Sequence, residues 1–254
     1  MINLLVLLSI LFIFVEYDLV LRIGRVINRD APIEYSENIL WRAVDRIFAL
    51  IRTYRGFTLE VEDRVGKDLP ERFILVANHQ SIADIPLVGL LFRGRRVRFV
   101  AKKELGHGVP LVSQALRMQG HCLVTRRGDP GQALKALDRY AKRCRENGAC
   151  PVIFPEGTRS RDGSLGTFHS GGFKRTLAAG SIPIVVVALD GGWRIRGLKS
   201  VMRNLKGSGY KVRIAGVIPA PRDRQEIMAA VARSREMVAE ALADWRGGTG
   251  KAAG

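Results

Sequence analysis

Apolar and polar positions along the chain fall into three regimes. The first is continuous: from Ile2 to Val15 only Asn3 and Ser9 interrupt the apolar residues, and Glu16 and Asp18 follow. No basic stretch precedes the run and no small-residue cleavage site closes it, so it does not read as a secretory signal. It is shorter than the roughly 20 residues that cross a bilayer, and reaches that length only by continuing through both acids to Leu21. The run predicts a membrane anchor, either a short span or a helix embedded from one side; the alternative is a buried core helix. Arg22, Arg25 and Arg29 come next, and the positive-inside tendency then places the chain at the cytoplasmic face of the inner (plasma) membrane.

The second regime has helical spacing. Between residues 37 and 55, Leu40, Val44, Ile47, Ile51 and Tyr54 form an apolar stripe with Trp41 and Phe48 alongside, while Arg42, Asp45, Arg46, Arg52 and Arg55 take the other face. Such a helix suits the lipid headgroup region or, equally, packing on a neighbouring domain.

The third regime begins after Gly56. Short apolar runs at Phe73–Ala77, Val97–Ala101, Cys122–Thr125, Val152–Phe154, Ile182–Leu189 and Val212–Ile218 predict strands. Between them, Ile85–Phe92, Leu111–Met118, Gln132–Arg145 and Gly172–Ala179 predict helices, and a last amphipathic helix runs from about Arg224 to Trp245. Apolar strands alternating with helices argue for an α/β architecture, a mixed, mostly parallel sheet flanked by helices. The predicted organisation is a membrane-associated helical segment over 1–56, an α/β domain over 57–246 and a disordered tail over 247–254.

Composition narrows the partners. Of 254 residues, 41 are Lys or Arg against 24 acids, a formal charge of +17, so polyanions are attracted. The basic residues are spread without a dense arm, which favours a membrane or an anionic substrate over nucleic acid. Cys122, Cys144 and Cys150 are odd in number and show no metal-ligand spacing, which points to a reducing compartment and no metal site.

Chemistry gathers in two segments. Asn78-His79-Gln80-Ser81-Ile82-Ala83-Asp84 follows a strand-like run, so His79 should emerge at the sheet rim, where sites of such folds collect. Asp84, five residues on, can turn its carboxylate towards the imidazole, fixing the tautomer and supporting the imidazolium formed when the other nitrogen takes a proton. Ser81 has no separate base and is not assigned as a nucleophile. About 70 residues later, Phe154-Pro155-Glu156-Gly157-Thr158-Arg159-Ser160 follows another strand-like run. Gly157 permits a sharp turn, Arg159 offers a planar fork for phosphate, and Glu156 can orient a cation or hydroxyl, or pair with Arg159.

These two segments resemble the Asn-His-x-x-x-x-Asp and Phe-Pro-Glu-Gly-Thr-Arg-Ser motifs of the glycerolipid acyltransferase family, in its 1-acyl-sn-glycerol-3-phosphate (lysophosphatidic acid) acyltransferase branch. Ala101-Lys102-Lys103-Glu104-Leu105, Gly120 to Arg126, and Ile182-Pro183-Ile184-Val185-Val186-Val187 are similar to intervening family segments. The resemblance covers roughly residues 73 to 190. It implies His79 as general base, Asp84 as its partner, and Arg126, Glu156, Gly157, Thr158 and Arg159 as positions binding a glycerol-phosphate head. It implies transfer of a fatty acyl group from acyl-CoA or acyl carrier protein, as co-substrate and without a cofactor, to the free hydroxyl of a lysophospholipid, giving phosphatidic acid. Two positions depart from the family pattern: Phe168-His169-Ser170 stands where a lysine is usual, and Val186 where a second proline is usual. Two further readings remain: another lyso-lipid as acceptor, and a non-catalytic basic lipid- or nucleic-acid-binding protein.

Overall fold

The structure is a computed structural model and describes residues 2–29, 33–125, 130–178 and 180–247. Two long helices, α1 (Ile2–Ile27) and α2 (Ile33–Arg55), precede a sheet domain. Its strands are β1 (Thr58–Asp63), β2 (Ile74–Ala77), β3 (Val97–Arg98), β4 (Val100–Lys102), β5 (Cys122–Val124), β6 (Cys150–Ile153), β7 (Ile184–Asp190) and β8 (Gly209–Ile218). Its helices are α3 (Asp84–Leu91), α4 (Val112–Met118), α5 (Pro130–Glu146), α6 (Ser170–Ala178), α7 (Leu198–Asn204) and α8 (Arg224–Gly247).

Six strands pair in the order β1-β8-β7-β2-β6-β3. Every neighbouring pair is parallel except β7 with β8, which gives the expected mixed, mostly parallel sheet. The apolar strands are continuous because both faces are covered. On one face, Leu75 and Ala77 of β2 and Val185, Val187 and Leu189 of β7 pack with Leu87 and Val88 of α3 and with Val44, Phe48 and Ile51 of α2. On the other, Ile74, Val76, Ile184, Val186 and Ala188 meet Phe173 of α6 and Val231, Val238 and Leu242 of α8.

Three expectations change. The run Val97–Ala101 is two strands in different sheets: β3 extends the main sheet, whereas β4 pairs with β5. Phe99 divides them, its ring buried in the main core and its N–H donated to the His121 ring rather than to a strand. Strand β1 escaped the hydrophobic pattern because it is a polar sheet edge, Thr-Leu-Glu-Val-Glu-Asp, as edges that must stay unpaired in water commonly are. Residues 1–56 do not stand apart from 57–246, since α2 supplies a layer of the same core. Of the two positions open to α2, the structure shows packing: Ile39, Ala43, Val44, Phe48 and Ile51 are buried, and Arg98 of β3 pairs with Glu37 at 2.7 Å. Tyr54, which the stripe included, is exposed.

Helix α1 is long and apolar enough to cross a membrane by length and composition. Val6, Ile13 and Leu21 are buried, while Leu4, Leu8, Phe12, Val15, Leu19, Ile23 and others are exposed. The two acids that interrupt its apolar run attach it to the domain. Glu16 pairs with Arg46 of α2 at 2.7 Å, and Asp18 accepts the Leu111 N–H at 2.7 Å and the Gln114 side-chain amide at 2.6 Å. Leu111 needs that anchor, because it is non-glycine at φ 60, a costly conformation.

Candidate active site

Strands β2, β6 and β7 are parallel neighbours, so the segments leaving their carboxyl ends meet at one rim. The antiparallel β8 starts at that same end, Lys211 lying opposite Asp190. The rim therefore brings together 78–84, 154–160, 190–196 and the beginning of β8.

The segment after β2 is tied down before it reaches His79. The Asn78 side chain donates to the Leu189 carbonyl and accepts the Leu189 N–H, each at 2.8 Å, adding a side-chain rung to the β2–β7 ladder. His79 then turns outward, its side chain 12% exposed and its ring stacked 4.3 Å from the Phe154 ring. Its Nδ1 lies 2.7 Å from Asp84 Oδ2, so Nε2 is the ring nitrogen on the side away from the carboxylate.

Asp84 opens α3 but does not cap it. It is fully buried, and its carboxylate folds back to accept the Gln80 N–H at 2.6 Å and the Ser81 N–H at 2.8 Å on the oxygen that meets His79. The other oxygen accepts the Tyr210 hydroxyl at 2.8 Å. A buried carboxylate with this many donors is fixed in direction. Ser81 is also fully buried, and its hydroxyl donates to the Ile195 carbonyl at 2.7 Å, a bracing role rather than a nucleophile's.

The segment after β6 forms a turn, Gly157 N–H to the Phe154 carbonyl, and Gly157 takes φ +67, where a side chain would be strained. Gly157 and Thr158 are exposed at the tip, and Arg159 is half-buried with Nη1 donating to the Arg196 carbonyl at 2.7 Å. Glu156 points inward instead. Its Oε1 accepts the His79 N–H at 2.8 Å and its Oε2 the Gly166 N–H at 2.9 Å, so the acid expected to face the acceptor clasps the two motifs together. Ser160 completes the clasp by donating its N–H to the His79 carbonyl at 2.8 Å. Burial raises the Glu156 carboxyl above its ordinary value, against the two N–H donors that pull it down. Arg126 lies outside the described residues, so its place at the rim is not assigned.

Several groups at the rim were not singled out from the sequence. Tyr210 reaches Asp84 from a strand 126 positions away, and no local signal marks it. Asp190 receives Arg246 of α8 in a two-toothed pair at 2.7 and 2.9 Å, and also the Gln80 amide at 3.3 Å. Burial works to raise the Asp190 carboxyl, but Arg246 and the neighbouring donors hold it below the usual range. His169, the position departing from the family pattern, is exposed and donates its N–H to the Pro155 carbonyl, which puts it beside the turn. Cavities of about 290 and 320 Å³ lie elsewhere, beside Arg117, Arg139 and Arg143, and beside Arg72; neither includes His79 or the 154–160 turn.

The acyltransferase family model matches residues 60–190. The chloroplastic 1-acyl-sn-glycerol-3-phosphate acyltransferase BAT2 of Brassica napus is 34% identical over 159 residues, 60% of this chain and 43% of that protein. The 1-acyl-sn-glycerol-3-phosphate acyltransferase of Haemophilus influenzae is 31% identical over 138 residues, 54% of this chain and 56% of that protein. The chain thus spans about half the length of the curated relatives it matches. The crystal structure of the 1-acyl-sn-glycerophosphate acyltransferase from Thermotoga maritima superposes with a TM-score of 0.71 at 25% identity, covering 95% of this chain and 96% of that one.

Proposed function

Because the chain belongs to the acyltransferase family, we propose that it moves a fatty acyl group from an acyl thioester to the free hydroxyl of 1-acyl-sn-glycerol-3-phosphate, yielding phosphatidic acid. The observation that carries this reading is the His79–Asp84 pair, 2.7 Å apart at the sheet rim and held against the Phe154–Ser160 turn. His79 Nε2 removes the acceptor's hydroxyl proton as that oxygen attacks the thioester carbonyl. Asp84 supports the imidazolium on the opposite nitrogen. The tetrahedral intermediate then collapses, expelling the thiolate, and the imidazolium returns its proton to the sulfur. The ester bond forms as the thioester bond breaks, with no net change of charge or oxidation state. A thioester is already activated, so the scheme needs neither a covalent enzyme intermediate nor a metal. Arg159, with Arg126 as a sequence-based partner, holds the acceptor's phosphate and converts an encounter into an oriented approach. Acyl-CoA and acyl carrier protein both suit the basic chain as donors.

The exposed apolar surface of α1 supports placing the protein on a membrane, and the arginines at 22, 25 and 29 support its cytoplasmic face. An acceptor carried in the bilayer would then meet the rim without leaving the lipid.

A second acceptor reading rests on His169. Its backbone is bonded to the turn that carries Arg159's segment, so the departure from lysine lies beside the turn proposed to hold the headgroup. One assay separates the readings. Membranes containing the protein are given acyl-CoA or acyl carrier protein thioester with a panel of lyso-lipids, and products are identified by mass. Phosphatidic acid formation that is absent with His79→Ala supports the main reading. Transfer only to lyso-lipids with other headgroups selects the second, and no transfer from either thioester sinks both.

A further inference from the structure

Tyr210 is the group at the dyad that the reaction scheme leaves unused. Its ring is buried in the main core, 6.1 Å from the Phe57 ring, and its hydroxyl donates to Asp84 Oδ1. The two oxygens of Asp84 are thereby divided. Oδ2 meets His79 and two backbone N–H groups, whereas Oδ1 has the phenol. The turn after β7 is shaped around that phenol. A Cβ on Gly192 would lie 2.1 Å from the Tyr210 oxygen, and one on Gly191, which sits at φ +88, would lie 2.2 Å from the Gly209 carbonyl. Gly192 thus leaves room for the hydroxyl to reach the carboxylate, and Gly191 lets the turn pass close against the backbone at the start of β8.

We propose that Tyr210 is a positioning residue for acyl transfer: its hydroxyl fixes the rotation of the Asp84 carboxylate and tempers the charge that Asp84 presents to His79. The first effect keeps Oδ2 on Nδ1, so the outward nitrogen stays aimed at the acceptor. The second keeps the Asp84–imidazolium pair from becoming so stable that His79 returns its proton slowly to the leaving thiolate. Burial, and then the charge of Asp84, push the phenol well above its ordinary value, so it remains a proton donor wherever the enzyme works. The other titratable groups facing the pair are Glu156 after β6 and, beyond Gln80, Asp190 with Arg246. Replacing Tyr210 by Phe alters none of those. The inference rests on reading His79 as the base.

The test uses the full chain in membranes, with acyl-CoA and 1-acyl-sn-glycerol-3-phosphate, and follows kcat and KM against pH. For Tyr210→Phe, which removes one oxygen, kcat should fall about tenfold, the size of one lost hydrogen bond to a charged group. Both KM values should stay within about twofold, because the phenol touches neither substrate in the scheme. The acid limb of kcat/KM should move to higher pH, since a less satisfied Asp84 holds the imidazolium more tightly. A profile superimposing on the parent's overturns the assignment, as does a raised KM with unchanged kcat. Should the Phe variant fail to fold, 3-fluorotyrosine placed at position 210 keeps the shape and strengthens the donor. The acid limb should then move to lower pH, and an unmoved limb overturns the proposal equally. His79→Ala separates the two levels. If it stays active, the base reading fails and takes this one with it. If it is inactive while the Tyr210 variants leave the profile in place, only Tyr210's role is lost.

Discussion

His79 and His121 have similar surroundings at first sight. Each ring lies stacked on a phenylalanine at 23° between planes, with Phe154 under His79 at 4.3 Å and Phe99 beside His121 at 5.6 Å. Each follows or begins an apolar strand within a motif-like segment. The difference is in the polar neighbours. His79 meets a buried carboxylate on one nitrogen and opens outward on the other. His121 is closed on both sides, its Nδ1 accepting the Phe99 N–H at 2.8 Å and its Nε2 lying 3.0 Å from Gln119 Oε1. Burial, aided by the charge of Arg98, pushes His121 down to about 3. One imidazole has a carboxylate partner, and the other is buried between neutral ones. A ring's packing thus says little about its chemistry; the charge and direction of its hydrogen-bond partners decide.

Breaking the pair at its active member should have the largest effect. His79→Ala should lower kcat by about 10²–10⁴-fold in the transfer assay, the usual worth of a general base, with the folded protein retained. Normal turnover in that variant ends the proposed mechanism. Asp84→Asn should come next, with kcat lowered on the order of 10²-fold. Its amide would turn an N–H₂ group towards donors that now meet a carboxylate, so thermal melting should also drop by an amount corresponding to about 1–3 kcal/mol.

His121 supplies the contrast in stability. Its folded pKa is below its unfolded one, so the unfolded chain takes up the proton first. Stability from neutral His121 is complete above pH ~6.5 and is lost as pH falls from there towards about 3, at roughly 1.4 kcal/mol per pH unit. Denaturant melts between pH 7 and 5 should therefore fall less steeply for His121→Gln than for the parent, and parallel slopes would remove the contrast. The smallest expected change is at Glu156. Glu156→Gln keeps one acceptor and loses the other, costing about 1 kcal/mol of stability and a several-fold decrease in kcat, with the acceptor's KM little altered. A large rise in that KM would return Glu156 to the substrate.

Much of this was legible in the chain itself. The alternation of apolar strands and helices reports an α/β sheet because each strand of such a sheet is covered twice, as Leu75 and Ala77 on one face and Ile74 and Val76 on the other show. The His79–Asp84 spacing was legible because the turn between them is local. Strand β1 was not, since a polar edge has no hydrophobic signature. The stripe on α2 announced an apolar face but not its partner, which proved to be the sheet domain's own core.

Residue type and local spacing determined that this chain would carry an imidazole, a carboxylate and a basic turn at strand ends, because periodicity and short turns are properties of neighbouring residues. Tertiary structure decided how the acids are used. Asp18 became an attachment for α1, Glu156 a brace between motifs, and Asp84 a buried carboxylate met by a tyrosine 126 positions further along the chain. The reason is physical: a carboxylate turns towards whichever donors fold around it, and those donors arrive from segments that sequence distance does not reveal.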